Sequence, residues 1–327
     1  MEIVTVARRF ADEVLFPAAN ETDASDVLPV ALLDSLAATG LYGLPAPREA
    51  GGLDADFGTV CAVLETLSGG CLTTAFVWMQ HVSVVRALSA SANAALRARW
   101  LAPLASGAAR AGLALGGALP RPALRAVPDG DGWILEGVSP FVSGWGRVDV
   151  VHAAARAGDD VVWLLINAEE CSVLRAERLR LIALDATGTV SLSFAGLRVP
   201  AGRVTATHPA GDRSSPELLR THASLPLGVA SRCVRLLGPS PLDAELAALR
   251  AELDLLGPRT AEARAMAGEL AVRAASALMT VHGSRSLLAG GHAQRLAREA
   301  LFTQVYALRP ASKDALLARL GAAEPGS

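Results

Sequence analysis

Apolar residues near the start of the chain recur at helical spacing, with Val6, Phe10, Val14 and Leu15 on one face, and the pattern stops at Pro17. Pro29 opens a second helix in which Leu32, Leu33 and Leu36 share a face, and Gly40 is its stop. The Pro- and Gly-dense segment 44–53 predicts a loop. Helical spacing returns over 57–67, 73–88 and 94–105, the last with Asn93 placed to cap it. Near Leu113 the period changes. The DGDG run at 129–132 predicts a turn, and WILEGVSPFVSG, VDVVHAAAR, DDVVWLLIN and TVSLSFAGLRVP are short β-branched runs separated by Gly, Asp and Pro. From Pro216 the helical period resumes to the end, interrupted at 238–241, at Gly257-Pro258 and at Gly290-Gly291. Helices, then strands, then helices imply an α+β, mostly α chain: an N-terminal helical domain over 1–110, a central β domain over 111–207 and a C-terminal helical domain over 214–327.

Composition narrows the function classes. The 327 residues are 51% hydrophobic and carry a net charge of -2, which supplies a large core and argues against a nucleic-acid or anionic-lipid surface. The stretch 66–85 has no charged residue, but its Thr, Ser, Gly, Gln and His predict a buried helix pair and no membrane span. An N-terminus charged from Glu2 lacks the pattern of a secretion signal, so a cytoplasmic location is expected. The four cysteines show no C-x-x-C and sit in apolar sequence, so all four are expected as buried free thiols. His222, His282 and His292 lie far apart, and no metal site is expected.

Several segments carry a resemblance. LLDSLAATGLYGLPAPREAGGL, VLETL at 63–67, GWILEG followed by PFVSG at 132–144, FAGLRVPA at 194–201, AEARAMAGELA at 261–271 and RLAREA at 295–300 resemble, in this order, the acyl-CoA dehydrogenase family. The resemblance spans almost the whole chain and is stronger for the fold than for the active site. It implies a C-terminal four-helix bundle, FAD as cofactor, an acyl-CoA or acyl-carrier-protein substrate, and assembly as a homo- or hetero-oligomer through the 260–308 region, with Leu296, Ala300, Leu301 and Val305 on apolar faces. Dehydrogenating a thioester between its α and β carbons needs a base for the α proton and a flavin for the β hydride, because no side chain accepts hydride.

For the flavin, the resemblance assigns a hydroxyl donor to Ser143 and the aromatic beside the ring to Phe141. LALGGALPR replaces the family's Thr-Glu-Pro and Gly-Ser-Asp pattern, leaving the backbone N–H groups of Gly116 and Gly117 as possible donors, and Arg285 as a diphosphate clamp in a worn Gln-x-x-Gly-Gly element. His81 matches a helix near the substrate channel, although a lone His in an apolar helix is more often packed. The base is missing. Ala307 stands where the family's last helix carries Glu, and the alternative carboxylate position on the earlier helix falls on Leu218, with Glu217 one residue away as the candidate. Three readings follow: an FAD-dependent dehydrogenase of acyl thioesters, a catalytically silent subunit of a hetero-oligomeric dehydrogenase, or a flavin enzyme of the same fold with monooxygenase or nitroalkane-oxidase chemistry.

Overall fold

The structure, a computed structural model, describes residues 2–211 and 214–322. Helix α1 (Glu2–Phe10) passes through a π turn at Ala11–Leu15 directly into α2 (Phe16–Ala24). The expected stop at Pro17 is therefore corrected. Proline has no N–H to give the preceding turn, and its ring clashes with the carbonyl four residues back. Here the widened turn falls just before it and the chain stays helical.

After α3 (Val30–Ala37), the polar break at Cys71 separates α4 (Phe57–Gly70) from α5 (Leu72–Ser89), the predicted buried pair. No helix among the described residues is long and apolar enough to cross a membrane. Asn93 caps α6 (Ala94–Ser106), its side chain accepting from the Leu96 N–H at 3.0 Å. Cys61, Cys71 and Cys233 are buried, but Cys171 is exposed in the turn before a strand, which corrects the uniform reading.

Eight strands, β1 (Ala111–Ala114), β2 (Leu124–Asp129), β3 (Gly132–Val142), β4 (Val150–Ala157), β5 (Asp160–Asn167), β6 (Leu174–Arg178), β7 (Val190–Pro200) and β8 (Val204–Pro209), form one sheet. Its order is β6-β7-β3-β2-β4-β5-β8, with β1 parallel to β4. The DGDG turn closes the β2–β3 hairpin, Asp129 pairing with Gly132 and Gly130 supplying a φ of 59°.

Helix α7 (Pro216–Leu237) then opens a bundle with α8 (Pro241–Asp254), α9 (Thr260–His282) and α10 (His292–Val305), followed by the short α11 (Pro310–Arg319). A capping box at Ser240 and Asp243 starts α8 after the tight Gly238–Ser240 link. The N-terminal helices and the bundle share one apolar core running from Leu15, Leu64 and Leu67 to Leu227, Leu270 and Leu296. Leu296 and Ala300, expected on a surface face, belong to this core, while Leu301 and Val305 are exposed.

His81 ties the helices to the sheet. Its Nε2 lies 3.1 Å from the Leu104 carbonyl and its Nδ1 accepts from the Ala111 N–H at 3.1 Å, which fixes the neutral Nε2–H tautomer. Burial pushes its pKa down to about 3. The channel histidine of the family resemblance is thus a packed bridge. Burial pushes His222 down to about 3 and His152 to about 4 as well. Unfolded histidines take up protons below about pH 6.5, and these folded ones do not until far lower. Stability from them is complete above about pH 6.5 and falls as pH drops toward those folded values, by about 1.4 kcal/mol per pH unit for each group. Urea denaturation should show this loss between pH 7 and pH 5. His81→Ala should lower stability at pH 7 by about 1–3 kcal/mol through its two orphaned backbone partners, and should flatten the acid slope. An unchanged midpoint would remove the bridge.

Candidate functional site

Residues close in sequence to Leu218 and Ala307, the two positions that the resemblance assigns to a base, meet in space. His222, one turn beyond Leu218 on α7, and Tyr306, the residue before Ala307 at the end of α10, have ring centroids 5.4 Å apart. Phe76 of α5 meets Tyr306 edge-on at 4.8 Å and Phe302 at 5.2 Å, so α5, α7 and α10 close on one aromatic junction. Ala307 leaves α10 with a φ of 49°, a turn that separates it from the helix axis.

The junction is cationic. Arg264 of α9 is 1% exposed, and its Nη2 donates to the Thr303 carbonyl at 2.8 Å and the Tyr306 carbonyl at 3.3 Å. It thereby caps the negative end of α10. Burial lowers its pKa to about 10. Burial, and then repulsion from Arg264 and Arg309, keep His222 neutral, while burial pushes Tyr306 up to about 12. Among the described residues, the charges acting on both rings are those of Arg264 and Arg309. The sequence offered no signal for Arg264, because a cation inside a helical apolar pattern gains meaning only once its carbonyl partners are known.

Glu217 does not join this junction. At about 100° per residue, Leu218 and His222 lie within about 40° on α7, whereas Glu217 is about 140° from His222. It is exposed, and a hydrogen bond to its own backbone, then Ser215, then Arg86 hold its carboxyl below the usual range. A weaker, misdirected carboxylate is a poor proton acceptor.

The flavin donors named from the sequence are spent internally. The Gly116 N–H donates to Ser139 Oγ at 3.0 Å and the Gly117 N–H to the Ala154 carbonyl at 2.9 Å. Both glycines are required by packing, since a Cβ would lie 2.5 Å from the Val138 oxygen or 2.4 Å from Ala155. Ser143 is buried and its Oγ lies 2.6 Å from Thr189 Oγ1. The direction of that bond is fixed. Thr187 gives its proton to the Leu184 carbonyl, so Thr189 must donate to Thr187 and Ser143 to Thr189. Phe141 does present itself, two-thirds exposed with a φ of 57° beside the irregular Ser139/Val142 register. Arg285 is exposed in the 3-10 turn after α9, far in sequence from these strands. An isoalloxazine ring thus finds an aromatic surface at Phe141, but the polar donors expected of Gly116, Gly117 and Ser143 do not fit it. Among the described residues no group of three or more His, Cys, Asp or Glu is placed to hold a metal ion.

A helical unit, an eight-stranded sheet and a terminal bundle define the class of acyl-CoA dehydrogenase folds. Butyryl-CoA dehydrogenase from Megasphaera elsdenii superposes with a TM-score of 0.79 at 17% identity, covering 98% of this chain and 96% of that one. Glutaryl-CoA dehydrogenase from Mycobacterium smegmatis gives 0.80 at 17%, covering 100% and 95%. The family description "Acyl-CoA dehydrogenase, N-terminal domain" matches residues 1–108. Among curated relatives, (2S)-methylsuccinyl-CoA dehydrogenase of Cereibacter sphaeroides is 30% identical over 155 residues, 46% of this chain and 28% of the relative. The mitochondrial short-chain specific acyl-CoA dehydrogenase of Bos taurus is 24% identical over 238 residues, 69% of this chain and 57% of the relative. The matched region thus spans between about a quarter and three-fifths of the length of these two relatives. Residues 1–108 thus match the N-terminal domain of the acyl-CoA dehydrogenase family, and the whole chain shares the fold of the solved acyl-CoA dehydrogenases.

Because Ser143 feeds a closed hydroxyl chain, Ser143→Ala should cost about 1 kcal/mol of stability by leaving Thr189 without a donor. Thermal melting and flavin titration check this together: a lower Tm with unchanged flavin affinity is expected, and the reverse would return Ser143 to the cofactor.

Proposed function

We propose that this chain is a base-free subunit of an acyl-CoA dehydrogenase-type assembly that oxidises an acyl thioester with FAD, a homologous chain supplying the base and the missing ring donors. The observation that carries this reading is the Phe76–His222–Tyr306 junction, close in sequence to both positions that the resemblance assigns to a base, where the charged neighbours are Arg264 and Arg309. A thioester α proton has no acceptor there: Ala307 has a methyl group, Leu218 an isobutyl group, and His222 is held neutral with a pKa of about 3, too weak a base for an α carbon. What the chain retains is a packed fold and the exposed Phe141. The exposed apolar residues Leu287, Leu288, Leu301 and Val305 near the end of the bundle supply a face for such a partner. The relatives' names point to acyl-CoA substrates, and the family resemblance points to CoA or a carrier protein as the thioester donor.

The reading in which this chain is itself the dehydrogenase rests on Glu217, adjacent in sequence to the base position. Purified alone, the protein should lack flavin absorbance bands near stoichiometric amounts and should show no turnover of saturated acyl-CoAs with an electron acceptor. Flavin-replete protein whose turnover falls by orders of magnitude in Glu217→Gln would establish the dehydrogenase reading instead.

A further inference from the structure

A cavity of about 900 Å³ is a cleft between α1, α4, α7 and α8 that plays no part in the junction above. On α7 it takes Arg220, Gly228, Ser231, Arg232 and Arg235. At about 100° per residue these span about 120° of the helix, and His222 is about 160° from Arg220 and about 80° from Arg232. The cleft and the aromatic junction thus lie on different faces of one helix.

Its walls are unusually rich in guanidinium groups for a chain of net charge -2: Arg8, Arg220, Arg232, Arg235 and Arg250. The carboxylates facing them are Asp12, Glu65 and Asp254. Five cations against three anions leave a surplus of two positive charges. Each carboxylate is already bound. Asp12 accepts from Arg232 Nη2 at 2.5 Å and from both terminal nitrogens of Arg235 at 3.0 Å. Glu65 accepts from Arg250 through Nε at 2.9 Å and Nη2 at 2.5 Å, and Arg220 Nη2 stands 3.8 Å from it. Asp254 accepts from Arg220 Nε at 2.7 Å.

The guanidinium groups are preorganised by these bonds, and by the Arg232 Nε donation to the Gly69 carbonyl at 2.6 Å and its stacking on Phe16 at 4.2 Å. Arg220 and Arg232 are buried, so the ordering of two of the five is complete before any ligand arrives. Arg8 is exposed at the mouth and adds a further donor. Phe57, Val4 and Leu256 give the same cleft an apolar side. Forked donors that match phosphate oxygens, a positive surplus, an apolar wall and a volume in the range of small-molecule sites describe one ligand chemistry.

We propose that the α1/α4/α7/α8 cleft binds an organic phosphate of nucleotide size, its phosphates against the arginines and its organic part against Phe57 and Leu256. Such a ligand comes either as a free nucleotide or as the phosphorylated nucleotide end of CoA. The test is calorimetric titration of the whole protein with ADP, with free CoA and with inorganic pyrophosphate, at low and high salt. ADP or CoA should bind saturably and more weakly as salt rises, with the tighter of the two identifying the source. The double variant Arg8→Ala/Arg235→Ala alters only exposed guanidinium groups and should weaken binding at least tenfold with its melting temperature retained. Arg285→Ala should leave binding as it was. No binding of any probe, binding that survives the double variant, or binding lost in Arg285→Ala would each overturn the proposal. A double variant that fails to fold is replaced by Arg8→Ala alone, for which unchanged affinity is the contrary result.

Discussion

The crossing of α4 and α7 at Gly69 and Gly228 holds the rest of the molecule in place. A Cβ at Gly228 would lie 2.3 Å from the Glu65 carbonyl oxygen, and one at Gly69 would lie 2.9 Å from the Gly228 oxygen. Neither obstacle is a side chain that can rotate away. The two helices therefore meet backbone to backbone, and the shared core of the N-terminal helices and the bundle grows outward from that contact. Because α7 is pinned here, one of its faces is committed to the aromatic junction with Phe76 and Tyr306, and the other to the arginine cleft. Arg232, one turn beyond Gly228, ties the crossing to the π turn between α1 and α2 through Asp12 and to α4 through the Gly69 carbonyl.

The chemistry at the junction follows from what caps α10. A helix C-terminus attracts positive charge, and Arg264 meets that demand with direct bonds to two terminal carbonyls. With a methyl group at Ala307, where the resemblance assigns a carboxylate, this cation and Arg309 face rings that burial keeps neutral. The arrangement is stable as a packed helix terminus and unsuited to taking a proton from carbon. Burial also explains why the residues that follow β1 and β3 offer a flavin so little: Gly116, Gly117 and Ser143 satisfy their polar groups internally, as buried groups must.

Features written in local sequence were legible. The Asn93 cap, the DGDG hairpin, the interruption between the helices predicted over 57–67 and 73–88, and the starts of α7 and α8 depend on neighbours a few residues away, and each is where the sequence put it. Pro17 was misleading because a π turn absorbs the proline, and a periodicity read at one fixed angle cannot register that change of pitch. The site was less legible for a different reason. Whether Ser143 has a proton to give depends on Thr189 and Thr187, more than forty residues away, and whether Gly117 has a free N–H depends on Ala154. The resemblance assigned a base position to Ala307 and a neighbouring carboxylate to Glu217, but only the geometry of α7 shows that Glu217 looks away from His222.

The central claim is that, among the described residues, the junction contains no group able to remove an α proton. It is tested most directly, and independently of flavin, by proton NMR of butyryl-CoA incubated with the purified protein in deuterated buffer. The account predicts that the α-hydrogen signal persists at the rate seen in buffer alone. Protein-dependent loss of that signal, abolished in Glu217→Gln, would contradict it.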